Sequence, residues 1–218
     1  MTDLTPDLVL KAYAYGVFPM AKSRADRTVF WVQPRLRGVI PLDRFHVPRS
    51  LRKRLRRGDY RVTVDRDFKG VLAGCAAQAP GREDTWINDK IVALFTDLHR
   101  AGLAHSIETW RDDELVGGLY GLAMGGAFFG ESMFSRADDA SKVALCQLVG
   151  IMKKGGFRLL DTQFITDHLK QFGAVEIPQK DYLTDLSAAL AHLGSFQGPL
   201  EPDELAAVLF SHDSTQIS

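Results

Sequence analysis

The stretch "AHSIETWRDDELVGGLYGLAMGGAFFGESMFS", residues 104–135, decides the fold. Its residues read as three strands, separated by a turn at "RDDE" and another near "MGG". Short extended runs joined by such turns form an antiparallel meander. At its end Glu131 is a single carboxylate among glycine, serine, methionine and phenylalanine. A carboxylate is costly to bury without a partner. "GESMFS", residues 130–135, is therefore either a tight hairpin with a surface carboxylate or a place where something binds.

Working outward, helices flank the meander. "WINDKIVALFTDLHRAG" places Ile91, Leu94, Phe95 and Leu98 on one helical face and stops at Gly102. "DDASKVALCQLVGIMKKGG" has acidic residues before it, lysines in its last turn and glycines beyond, as a helix dipole favours. Before the meander come a helix capped by Thr5 with Pro6 in its first turn, and "TVFWVQPRLRGVIPL". The latter is broken by Pro34 and Pro41 and reads as short edge strands. "YRVTVDRDF" is a strand, "DFKGVLAGCAAQ" a helix and "APGRED" a loop. After the meander, "FRLLDTQF" is a strand, "ITDHLKQFGA" a short helix, "VEIP" a strand and "DYLTDLSAALAHLG" a helix. The class is α+β with a mostly antiparallel sheet. Residues 1–60 form a small N-terminal domain, 61–194 the main domain and 195–218 a loosely attached tail.

Composition narrows the function. With 27 basic and 27 acidic side chains, no global field draws the chain to nucleic acid or membrane. Charge is concentrated in "PRSLRKRLRRG", residues 48–58, a short helix with Leu51 and Leu55 as a thin apolar stripe. Its basic face is either a solvated surface or a phosphate-contacting patch. No run of residues is long and apolar enough to span a bilayer, and the N-terminus lacks the pattern of a signal peptide. Two cysteines, Cys75 and Cys146, make no disulfide framework, which fits a reducing, cytoplasmic setting. The histidines at 46, 99, 105, 168, 192 and 212 show no HxxxH spacing, and CxxC is missing too, so no metal site is expected. P-loop, GxGxxG and GxSxG patterns are also missing.

Several segments together resemble the leucyl/phenylalanyl-tRNA–protein transferases: "YAYGVFPM", "FWVQPRLRGVIPL", "TWI", "LHRAGLAHSIETW", "ELVGGLYG", "GESMFSRADDASKVAL", "LLDTQF" and "FGAVEIP". They follow the family order over roughly residues 10–185. The resemblance implies a domain of the GNAT-like acetyltransferase type behind a small N-terminal domain. It implies transfer of leucine or phenylalanine, and methionine less well, from tRNA to the N-terminal Arg or Lys of an acceptor protein. That protein then enters N-degron proteolysis. Neither a cofactor nor a metal is implied. There are departures: "VQP" stands for the family's "SP", Phe30 for the first tryptophan of a pair and "DTQ" for "DCQ". Gln179 and Lys180 stand where arginines are usual.

The same resemblance implies site residues. Gln163 would orient the attacking amine through its side-chain oxygen. Asp161 would hold Gln163 and supply negative charge, both side chains pointing one way because a strand has period two. Glu131 would bind the α-ammonium of the aminoacyl group at the mouth of an apolar pocket walled by Gly130, Phe128 and Met133. Leu119, Leu145, Leu148 and Leu160 fall at pocket positions, and Trp31 and Trp86 near the terminal adenosine. Arg52, Lys53, Arg56 and Arg57 would meet tRNA phosphates. Each also has a plainer reading: a polar strand face for Asp161 and Gln163, ordinary core for the leucines, half-buried core for the tryptophans. The rival functions are a true acetyltransferase, a non-catalytic RNA-binding module and a transferase using other aminoacyl-tRNAs. The basic side chains of "RADDASK" come with two aspartates, which would repel an acetyl donor's pyrophosphate.

Overall fold

The computed structural model describes residues 4–78 and 83–210. Residues 79–82 of the expected "APGRED" loop and 211–218 of the tail lie outside the described residues. In chain order the elements are α1 (Pro6–Ala14), β1 (Phe18–Met20), β2 (Phe30–Val32), β3 (Leu36–Ile40), α2 (Arg49–Arg57), β4 (Arg61–Val64), α3 (Phe68–Ala76), α4 (Asp89–Arg100), β5 (Ala104–Arg111), β6 (Glu114–Met124), β7 (Ala127–Ser135), α5 (Ala140–Lys154), β8 (Leu159–Gln163), α6 (Asp167–Lys170), β9 (Val175–Pro178), α7 (Gln179–Leu190) and α8 (Pro202–Phe210).

The fold is α+β. The strands β5, β6 and β7 form the expected meander at the centre of a seven-stranded sheet of order β4-β5-β6-β7-β8-β3-β9. Neighbours run antiparallel except β7 and β8, which are parallel. A two-stranded ribbon, β1 with β2, stands apart. The helix starts follow their capping residues: Thr5 accepts from the Leu8 amide at 3.3 Å, and Asn88 from the Ile91 amide at 3.0 Å. Each face of the sheet buries its own core. Ile40, Leu119, Phe128 and Leu160 pack with α2, α5 and α8, whereas Val39, Tyr120, Phe129 and Leu159 pack with α1, α3, α4 and α7.

Two expectations need correction. β3 is not an edge strand: it lies between β8 and β9. Pro34 and Pro41 fall outside it, so every residue of Leu36–Ile40 keeps its ladder donor. The segment after residue 195 is not loose as far as residue 210. Leu200, Leu205 and Leu209 are buried, and the Gln147 side chain of α5 bonds both the amide and the carbonyl of Leu200, at 3.1 and 2.9 Å. Three leucines spread over ten residues gave too sparse a pattern to announce this packing. Residues on both sides of position 60 share one core, since Ile40, Val47, Leu51 and Leu55 pack with Ile107 and Leu145.

Candidate active site

The site begins where the sheet opens. β7 and β8 are paired only from Ala127–Leu159 to Phe129–Asp161. Beyond those residues β7 stays with β6 and β8 with β3, and a wedge forms between them. Each strand carries a bulge at this point. Tyr120 faces Ser132 and Gly121 faces Gly130, so Glu131 is the extra residue on β7. Val39 faces Asp161 and Gly38 faces Gln163, so Thr162 is the extra residue on β8. A bulge bends its strand and re-aims the side chains beside it. Gly38 makes the second one possible: a Cβ there would come within 2.8 Å of the Phe164 backbone.

Six buried side chains lock the wedge. Glu131 is 8% exposed, and its Oε1 accepts from the Tyr13 hydroxyl at 2.6 Å and from Gln163 Nε2 at 3.0 Å. Since a carboxylate only accepts, the Gln163 amide must turn its NH2 toward Glu131 and its oxygen away. Gln163 itself is held in the left-handed region at φ 63°. Its amide N–H donates to Asp161 Oδ1 at 2.7 Å. Asp161 is fully buried, and Arg37 reaches it with Nε at 2.9 and 3.1 Å and with Nη2 at 2.7 Å. Tyr182 donates to Asp161 Oδ2 at 2.6 Å. The Arg37 guanidinium lies over the rings of Phe18 and Tyr182 and bonds the Gly16 carbonyl at 2.9 Å.

The wedge encloses a cavity of about 490 Å³, within the range of small-molecule sites. Its walls are mostly apolar: Leu119, Met133, Leu145, Leu148, Leu160 and Leu169. Among the described residues, the buried side-chain polar atoms with no hydrogen-bond partner are Tyr120 Oη, Glu131 Oε2, Thr162 Oγ1 and His168 Nε2. All four residues line this cavity. Leaving a buried polar atom unpaired costs about 1–3 kcal/mol, so such atoms concentrated in one cavity mark a place for a polar ligand with an apolar body.

Burial pushes the Glu131 carboxyl up to about 7, against the opposing pull of the Tyr13 and Gln163 hydrogen bonds. The folded protein therefore holds this proton more tightly than the unfolded chain. The resulting stability is fully present below the unfolded value near 4.5 and is lost as pH rises through about 7. Relative to Glu131→Gln, the wild-type protein should lose about 3 kcal/mol of unfolding free energy between pH 4 and pH 8. Denaturant titrations of both proteins at a series of pH values read this difference directly. A flat difference would mean that the carboxyl is not desolvated.

The family profile described as leucyl/phenylalanyl-tRNA protein transferase matches residues 39–187, and that of the family's N-terminal domain matches residues 2–35. The chain belongs to this family. A leucyl/phenylalanyl-tRNA–protein transferase from Rhodospirillum rubrum is 58% identical over 95% of this chain and 97% of its own length. One from Rhodopseudomonas palustris is 55% identical over 89% of this chain and 87% of its own. Among solved structures, a GCN5-related N-acetyltransferase-like protein from Streptococcus suis covers 78% of this chain and 63% of its own, with 16% identity and a TM-score of 0.34. The chain is thus a transferase of the leucyl/phenylalanyl-tRNA–protein family.

Most of the residues singled out for this family meet at the cavity. Trp86, Leu119, Gly130, Glu131, Met133, Leu145, Leu148, Leu160 and Gln163 all line it. Phe128 does not: it points into the core and stacks on Phe196, with ring centroids 5.5 Å apart. Trp31 lies on the ribbon and is 41% exposed, opposite Pro19, whose neighbour Met20 lines the cavity. Asp161 and Gln163 differ in what they touch: Gln163 lines the cavity, whereas Asp161 lies against Arg37 and Tyr182 and does not. Asp161 grips the Gln163 backbone amide, and Glu131 holds its side chain. The charge of Asp161 is taken up by Arg37. Arg52, Lys53, Arg56 and Arg57 line a separate basic groove. Gln179 and Lys180 open α7, where Gln179 donates its amide to the Arg35 carbonyl, and neither lines the cavity.

Sequence reasoning missed Tyr13, Arg37 and Tyr182, which hold the carboxylates, and Tyr120, Thr162 and His168, which line the cavity. Among the described basic residues Arg37 alone is buried, and nothing local distinguishes it. Two signals were present: Thr162 is the departure in "DTQ", and His168 follows it within six residues.

Proposed function

We propose that the protein moves leucine or phenylalanine, and methionine less well, from aminoacyl-tRNA to the N-terminal Arg or Lys of acceptor proteins. The product is marked for N-degron proteolysis in the cytoplasm. The observation that carries this reading is the gathering of unpaired polar atoms in one apolar cavity beside Gln163. An aminoacyl group has the matching form: an apolar side chain with an ammonium at one end.

In this reading the side chain occupies the walls made by Leu119, Met133, Leu145, Leu148 and Leu160. The ammonium meets Glu131 Oε2, with Tyr120 Oη beside it. The acceptor's α-amine attacks the ester carbonyl carbon, a C–N bond forms and the C–O bond to the terminal ribose breaks. The amine gives up one proton and the ribose oxygen gains one. An α-amine has a pKa of roughly 8, so about a tenth is neutral at pH 7. The ester is activated, and positioning supplies much of the rate. The Gln163 oxygen, turned away from Glu131, accepts a hydrogen bond from the attacking amine. Asp161 acts as a positioning residue through the Gln163 amide. Trp86 offers a ring at the cavity wall for the terminal base, and Trp31 a second on the ribbon, where stacking contributes ~1–3 kcal/mol per base.

The basic groove of α2 suits the tRNA backbone. Arg54 of α2 bonds Asp139 at 3.1 Å just before α5, and Ser141 of α5 lines the cavity, so groove and cavity are linked through α5. Removing the charges of Arg52, Lys53, Arg56 and Arg57 together should weaken tRNA binding and flatten its salt dependence by nearly one log–log unit per lost phosphate contact. Unchanged affinity and slope would make the groove a solvated surface only.

The test of function is a transfer assay with purified protein, charged tRNA and peptides beginning with Arg, Lys or Asp. Label from leucyl-tRNA should pass to the Arg and Lys peptides and not to the Asp peptide. Valyl-tRNA should compete poorly, since an apolar pocket separates one methylene by ~1–3 kcal/mol. Equal labelling of all three peptides, or none, would overturn the reading.

A further inference from the structure

His168 stands between two cavities. Its residue lines the apolar cavity beside Thr162 and Gln163. It also lines an adjoining polar cavity, with Arg136, Asp138, Asp139 and Lys142. Its Nε2 is buried without a partner, although the residue as a whole is partly exposed. The turn that carries it is fixed, and one aromatic neighbour meets the ring. Thr166 caps α6 by accepting from the Leu169 amide at 3.3 Å, Leu169 is buried, and the imidazole meets the buried Phe172 ring edge-on at 5.8 Å. Burial, with Lys142 nearby, lowers the imidazole below its ordinary pKa, while Asp139 opposes. A neutral imidazole carries one N–H and one lone pair and can pass a proton from one side of the ring to the other.

The proposed transfer leaves one chemical demand unmet. The attacking amine has Gln163, and the ammonium has Glu131. The ribose oxygen departs as a strongly basic alkoxide unless it is protonated, and neither residue is free to supply that proton. The departing nucleotide must also lie toward the outside of the cavity, because the rest of the tRNA follows it. His168, facing both the cavity and the polar opening, is placed on that path.

We propose that His168 is a further catalytic residue, its Nε2–H giving a proton to the ribose oxygen as the ester bond breaks. The inference rests on the transferase reading above. The proton account closes. The C–N bond forms and the C–O bond breaks, and the amine nitrogen releases one proton to solvent. The ribose oxygen receives one from Nε2 while the other ring nitrogen takes one from solvent in the same step, so the ring stays neutral and solvent exchange restores its first tautomer. No net proton is consumed, and no further reactant is needed.

The experiment compares wild-type protein with His168→Ala and His168→Gln, using leucyl-tRNA and a peptide beginning with Arg. Binding of leucyl-tRNA counts the competent protein in each preparation, and single-turnover rates at saturation are scaled to it. Glutamine fills similar space and carries an N–H near the place of Nε2, but an amide does not give up its proton. Both variants should turn over about a hundredfold or more slower, while leucyl-tRNA affinity stays within about threefold. A glutamine variant within about tenfold of wild type would assign His168 a packing role and overturn the proposal. So would a loss of affinity that accounts for the loss of rate. The wild-type arm separates the two levels: if it transfers nothing, the transferase reading fails. If it transfers and the variants match it, only the role of His168 falls.

Discussion

Arg37→Met should destabilise the protein by about 3–5 kcal/mol, the cost of leaving a buried carboxylate without its partner. Arg37 is 1% exposed and Asp161 is fully buried, so solvent cannot replace the lost guanidinium. Three contacts from Arg37 to Asp161 and one to the Gly16 carbonyl vanish together. Tyr182 and the Gln163 amide would remain as donors to Asp161, which keeps the loss from being larger. Urea unfolding at pH 7 measures the change. Adding Asp161→Asn to Arg37→Met should recover a substantial part of it, because the remaining group is then neutral and still accepts hydrogen bonds. A single mutant as stable as wild type would mean that the Arg37–Asp161 pair does not hold the fold together.

The second large effect separates stability from activity at one residue. Gln163→Gly should lower turnover by about a hundredfold, the scale expected when a reacting group loses its positioning. It should not destabilise the fold. Gln163 sits at φ 63°, where a side chain is strained by about 1–3 kcal/mol and glycine is at ease. Part of that strain should return as a higher melting temperature, offset by the loss of the bond to Glu131. Gln163→Ala loses the same amide and keeps the strained backbone, so it should match the turnover of the glycine variant and be less stable. Affinity for leucyl-tRNA should stay near wild type in both, since in the proposed reaction the missing contact belongs to the acceptor amine. Equal stability of the two variants would show that the backbone at 163 carries no strain.

The meander, the long helices and the α+β class were legible because they depend on local signals: turn residues, amphipathic periods and caps. Glu131 stood out by its apolar surroundings, and the cavity leucines came from the family resemblance. What stayed hidden depends on distance along the chain. Tyr13 meets Glu131 across 118 residues and Arg37 meets Asp161 across 124, and no local pattern encodes such pairs. The backbone at "DTQ" stayed hidden for another reason: nothing in those three residues announces the bulge at Thr162 or the left-handed Gln163. Phe128 followed the alternation of β7 into one core, while Phe129 and Glu131 face Tyr13 on the other side.

The hydrogen bond from Tyr13 to Glu131 has a consequence for inheritance. Tyr13 lies in the part of the chain that matches the family's N-terminal domain, and Glu131 in the part that matches its larger one. Gly16, which accepts from Arg37, lies on the same N-terminal side. A crossover between two relatives near residue 36 would therefore join contributors from different parents around two carboxylates, Glu131 through Tyr13 and Asp161 through Arg37. Such hybrids keep a working centre only when the donor of the first segment brings a phenol at position 13 and a backbone carbonyl at position 16 in register. Two segments that a sequence comparison divides thus build one hydrogen-bonded centre between them.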